Sequence, residues 1–186
     1  MSERSRAVAG QIGLLLFLAT ELMFFAGLLS AYWVLRNKMG LWPPPGQPRL
    51  PAGITGLNTT LFLLSGLTIY GAERAVKRGC HLCLMGWLGL TLLLGLFFLG
   101  LQGYEWLRLI SFGLTTTHNI YGGLFYIVIG SHALHVVAAL AVLLVVALQA
   151  VRGRYTVGHS GGLTLCRMYW TFVVLIWPLL YGVLYF

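Results

Sequence analysis

Five long apolar runs, separated by short connections, account for most of this 186-residue chain. They cover about residues 10–35, 54–76, 82–105, 119–151 and 166–186. A helix needs roughly 20 apolar residues to cross the hydrocarbon core of a bilayer. Within lipid, helices and closed barrels are the backbones that satisfy their own N–H and C=O groups. The expected fold class is therefore all-α: one polytopic transmembrane helix bundle over residues 1–186, with about five spanning helices and no separate soluble domain. The fourth run is long enough to tilt or to protrude.

Charge supports this reading. Only 9% of residues are charged, against about 25% in a soluble domain. There is no Asp, and the acidic residues are Glu3, Glu21, Glu73 and Glu105. A net charge of +8 would suggest nucleic acid in a soluble protein. Here the basic residues lie between apolar runs, where they act as topology signals and lipid head-group contacts, and no nucleic-acid partner is expected. With five spans, Arg4, Arg6, Arg74, Lys77, Arg78, Arg152, Arg154 and Arg167 fall on one side; Arg36, Lys38, Arg49 and Arg108 fall on the other. The positive-inside rule then puts the N-terminus in the cytoplasm. The connection at 37–53 holds five prolines, which excludes helix there and favours an extended surface loop, with Trp42 at the head-group level. Glycines within the spans, such as Gly86, Gly89, Gly100 and Gly130, are expected to let helices approach closely.

One carboxylate, Glu21, interrupts the first run. An ionisable group inside an apolar span is costly and marks a pairing or functional site. At the helical rise it lies roughly 22 Å from the outer end of its span. His132 and His135, in the fourth run, lie roughly 20 and 24 Å from that run's outer start. The three residues fall at similar depth, and the two histidines share a helix face. Glu21 is expected to meet one of them in the bundle interior. The pair would serve either as a structural link between helices or as a proton-handling group.

The remaining polar features suggest less. Glu105, beside Tyr104 and Trp106, is expected at the outer edge of the third span, as an interfacial cap or a contact to Arg108 or a neighbouring subunit. Cys80-His81-x-Cys83 lacks a fourth zinc ligand, so its cysteines are expected to be reduced and inert, without a disulfide framework. Rings on one face of one helix cannot clamp a heme between them, and the chain has no CxxCH site. Walker, GxGxxG and nucleophile-elbow motifs are also lacking. By itself the chain is expected to be non-catalytic. Midspan Glu and His residues permit a small proton-coupled transporter, but no inverted repeat supports one.

Read together, several segments resemble subunit III of the heme–copper terminal oxidases, the cytochrome c oxidase subunit III family. Residues 19–32, ATELMFFAGLLSAY, resemble its glutamate-bearing helix. Leu57-Asn58-Thr59 resembles its LNT, and Gln102-Gly103-Tyr104-Glu105 its Q-x-x-E. Residues 121–136, YGGLFYIVIGSHALHV, are similar to its YGSxF…GxHxxHV pattern. Residues 152–159, RGRYTVGH, and 169–181, YWTFVVLIWPLLY, resemble its RGxFT…H connection and its closing helix. Five spans match the short bacterial form. Thr171, Val174 and Thr164 stand where the family usually has His, Asp and Glu, so the polar network near the last helix is expected to be reduced, and Pro178 is expected to kink that helix.

The resemblance implies an accessory subunit without a redox centre, beside a catalytic subunit I that carries heme and copper. It implies oxidoreductase activity only for the whole complex, in the bacterial cytoplasmic (inner) membrane. It implies phospholipid binding, support of proton uptake and protection of the catalytic centre during turnover. A quinol oxidase or nitric oxide reductase subunit is the near alternative. Glu21, His132 and His135 inherit the family's interest as an intramembrane polar site, and Glu105, Arg152, Arg154 and His159 are candidate partner or lipid contacts.

Overall fold

A computed structural model of the chain describes residues 3–39, 52–112 and 120–185. Five α-helices make up the described residues: α1 (Glu3–Lys38), α2 (Ala52–Lys77), α3 (His81–Ser111), α4 (Ile120–Val151) and α5 (Gly161–Tyr185). The proline-rich stretch at 40–51, with Trp42, and the connection at 113–119 lie outside the described residues. By length and composition α1, α3, α4 and α5 can each cross a membrane. The chain is thus an all-α transmembrane bundle.

The helices α2, α3, α4 and α5 form a closed ring, each packed on its two neighbours. The helix α1 docks outside this ring, against α5 and α4. Its other faces stay open, with Leu16, Leu22 and Met23 exposed. Apolar exposure on this scale belongs against lipid or another apolar chain.

The helix α2 is less apolar than its ring neighbours because its polar residues line the inside of the ring. Thr55, Asn58, Thr59, Ser65 and Thr68 are all buried. Asn58 Nδ2 donates to the Phe98 carbonyl (3.2 Å), and the hydroxyls of Thr68 and Thr91 meet at 2.7 Å. Trp177 Nε1 donates to Thr59 Oγ1 (2.8 Å), and Trp170 Nε1 to Ser65 Oγ (3.2 Å). Buried polar groups need such partners, and across helices each bond also fixes register. Two hydrogen bonds that tie α5 to α2 therefore come from its tryptophans. Val174 is buried in apolar contact beside Gly66, and Thr171 Oγ1 reaches the Tyr70 hydroxyl at 3.5 Å.

Several expectations need correcting. The helix α3 runs well past the expected edge of its span, to Ser111, and α2 runs on to Lys77. Gly86, Gly89 and Gly100 face open space. The tight approaches occur elsewhere: a Cβ on Gly95 would lie 2.5 Å from Trp170 Cη2, and one on Gly71 2.5 Å from Trp87 Cδ2. Cys80 and Cys83 are joined by a disulfide rather than left as free thiols. Their spacing fits the first turn of α3, where Cys80 is the N-cap and its Sγ accepts the Cys83 N–H at 3.3 Å.

The turns at this end are alike. Gly79 and Gly153, both at φ 69°, follow α2 and α4. The amides of Gly79 and Cys80 bond back to the carbonyls of Val76 and Ala75, and those of Gly153 and Arg154 to Ala150 and Gln149. This is the Schellman arrangement, whose left-handed residue is best supplied by glycine. His81 Nε2, 2.8 Å from the Ala150 carbonyl, ties the start of α3 to the end of α4.

Candidate functional site

Glu21 and His135 meet. Nε2 of His135 lies 2.7 Å from Oε2 of Glu21, joining α4 to α1. The side chains are 14% and 19% exposed respectively. The other ring nitrogen, Nδ1, lies 2.7 Å from the Ser131 carbonyl one turn back. A carbonyl can only accept, so Nδ1 carries a proton. A second proton lies between Nε2 and Oε2. With it on nitrogen, the pair is an imidazolium–carboxylate; with it on oxygen, a neutral imidazole beside a carboxylic acid. Both forms have zero net charge, so the proton can move within the pair without adding charge to the bilayer interior. Phe24 stacks on the His135 ring and Phe25 meets it edge-on, at centroid distances of 6.4 and 5.2 Å.

His132 does not join this pair. It is 1% exposed and points into the ring of helices. Trp177 stacks on it at 5.1 Å, while Phe25, Phe62 and Phe98 stand edge-on around it. Neither ring nitrogen has a hydrogen-bond partner among the described residues. Although His132 and His135 are three residues apart, one turns toward the bundle axis and the other toward α1.

Glu105 turns inward rather than to the interface. It is 2% exposed, and the Thr55 hydroxyl lies 3.0 and 2.9 Å from its two carboxyl oxygens. Gln102, 3% exposed, lies one turn earlier on α3. This second buried polar cluster was not anticipated as a unit. Its sequence signal was the spacing of Thr55, Asn58 and Thr59, which places them on one face of α2 opposite the face of Gln102 and Glu105.

Arg152, Arg154 and His159 are exposed in the turn between α4 and α5. Thr156 and His159 form an isolated bridge there, and the Tyr155 hydroxyl donates to Gln149 Oε1 at 2.7 Å. Partial burial pushes the Tyr155 hydroxyl above the ordinary tyrosine range. At the same end, Glu73 lies 3.2 Å from Lys77 Nζ and 3.0 Å from Arg167 Nε, linking α2 to α5. The Arg167 guanidinium also lies over the Tyr70 ring, at 4.9 Å. Among the described residues, no group of three His, Cys, Asp or Glu side chains is placed to hold a metal ion.

Comparison with known proteins agrees with the motifs. The family model described as cytochrome c oxidase subunit III matches residues 5–186. The chain is 33% identical over 174 residues to cytochrome c oxidase subunit 3 of Synechocystis sp., covering 93% of this chain and 73% of that protein. It is 34% identical to the probable cytochrome c oxidase subunit 3 of Mycobacterium leprae, covering 94% and 86%. The probable subunit 3 of Rickettsia bellii is also 34% identical, with 94% and 68% covered. The match takes in both histidines of α4, the Glu21 helix and the Glu105 segment, and on this evidence the chain belongs to the cytochrome c oxidase subunit III family.

Proposed function

We propose that this chain is the accessory, non-redox subunit of a respiratory heme–copper oxygen reductase, with α2 as a fifth spanning helix and the N-terminus in the cytoplasm. Family membership supports the assignment to a terminal oxidase complex. Heme and copper are assigned to a partner catalytic subunit, and phospholipids to the open faces of α1. The location is the bacterial cytoplasmic membrane. Within the complex, the Glu21–His135 pair holds and relays a proton in support of uptake by the catalytic subunit. The observation behind this role is the 2.7 Å contact between two partly exposed ionisable groups.

The test is a gentle-detergent pull-down on tagged chain, read by a reduced-minus-oxidised spectrum and mass spectrometry, followed by Glu21→Gln in the assembled complex. Heme bands with a large polytopic partner support the oxidase reading, and their positions distinguish it from a quinol oxidase or nitric oxide reductase subunit. A colourless homo-oligomer overturns that reading and favours a proton-coupled transporter. In an assembled Glu21→Gln complex, slower proton uptake or a shorter turnover lifetime supports the relay. Unchanged values leave Glu21 a structural tie.

A further inference from the structure

We propose that the Cys80–Cys83 disulfide is a thiol–disulfide exchange site that takes a small anionic thiol. The site lies at the start of α3, on the basic side of the bundle. The proposed orientation makes that side cytoplasmic. Cytoplasmic disulfides of ordinary bacteria are typically transient, catalytic or redox-sensing. The two sulfurs differ in access: Cys83 is exposed and Cys80 half-buried. They also differ in electrostatics. Cys80 caps the helix and its sulfur already accepts the Cys83 N–H at 3.3 Å. A helix N-terminus stabilises negative charge, so Cys80 is the better leaving thiolate and Cys83 the sulfur open to attack.

A second observation concerns the thiol. Both cysteines line a cavity of about 290 Å³ with Arg74, Arg78 and Trp87. Glu73, the nearest carboxylate in sequence, is engaged by Lys77 and Arg167 instead. Two arginines beside an aromatic wall suit a small thiol bearing carboxylates. Cys166 takes no part, being 2% exposed on α5.

The exchange balances without a further co-reactant. A thiolate of the small thiol attacks Cys83 Sγ. The Cys80–Cys83 bond breaks, a mixed disulfide forms on Cys83, and Cys80 leaves as a thiolate and takes up a proton. A second thiolate attacks the small-molecule sulfur of the mixed disulfide and releases Cys83, which is also protonated. Two thiols are oxidised to their disulfide, two cysteines are reduced, and the two protons lost by the thiols are those gained. Run in reverse, the sequence re-forms the bond.

The test uses the detergent-solubilised complex in glutathione buffers of graded composition, acid-quenched, alkylated and read by peptide mass. The expected result is a reversible two-electron transition in which Cys80 and Cys83 convert together, with glutathione caught on Cys83 at intermediate ratios. Arg74→Gln with Arg78→Gln should slow reduction by glutathione about tenfold, leaving the rate with neutral 2-mercaptoethanol unchanged. Cysteines that stay free at every ratio overturn the proposal, as does a bond that resists excess glutathione. Exchange with a protein dithiol alone overturns the small-thiol assignment. Wild-type protein suffices for the main readout, so poor folding of the double arginine variant would not rescue the proposal.

Discussion

Nε2 of His135 and Oε2 of Glu21 lie 2.7 Å apart, on helices that otherwise touch little. This hydrogen bond joins α1 to the four-helix ring at mid-depth. Losing it affects both docking and proton handling. Glu21→Ala should lower the stability of the assembled protein by about 0.6–2 kcal/mol, read as a fall in melting temperature in detergent. In a double-mutant cycle with His135→Ala, the two losses should be non-additive, because either change alone breaks the same contact. Fully additive losses would mean that the contact contributes nothing.

A different signature is expected at Glu105, whose carboxyl group has the Thr55 hydroxyl within hydrogen-bonding distance of both oxygens. Thr55→Val keeps the shape and removes the hydroxyl, leaving a buried carboxyl without that partner. The expected cost is about 1–3 kcal/mol. Thr55→Val combined with Glu105→Met should recover much of the loss, since replacing both partners with apolar groups is often nearly neutral. Chemical denaturation of the three variants in detergent checks the order.

Glycines on α3 should respond according to what they face. Gly95→Ala would drive a methyl group into Trp170 at 2.5 Å and Leu140 at 2.9 Å. Both neighbours sit in a filled core, so overpacking by about 1–3 kcal/mol is expected. Gly86→Ala meets nothing within 4 Å and should change stability by less than about 0.5 kcal/mol. Thermal melts of the two variants side by side decide the matter, and equal losses would contradict the packing described.

The Glu73 cluster should be weak and sensitive to salt. Lys77 is 67% exposed, whereas Arg167 and Glu73 are 21% and 16% exposed. Glu73→Gln should cost less than about 1 kcal/mol. The loss should shrink further in high salt, where exposed charges are screened. Melting curves at low and high ionic strength provide the check.

Much was legible without coordinates. Long apolar runs force helices, because a bilayer leaves backbone groups no external partner. The depth of Glu21 and His135 followed from counting residues along helices of fixed rise, and the order of motifs already resembled one family. What residue counting could not supply was direction around each helix axis. Spacing put His132 and His135 on one broad face, yet a rotation of α4 sends His135 to Glu21 and His132 into an aromatic box. Glu105 looked interfacial by position along the chain. It is buried because α3 continues past it and α2 presents Thr55 opposite. The glycines read as close-packing sites were chosen by residue type, whereas Gly95 and Gly71 are required by the tryptophans of other helices. The cysteine pair was read as reduced from its expected compartment, and the disulfide came into view only with the first turn of α3. In each case the deciding quantity is a contact between residues distant in sequence or a rotation about a helix axis. Neither is encoded by local apolarity or spacing, and both arise only when five helices pack together.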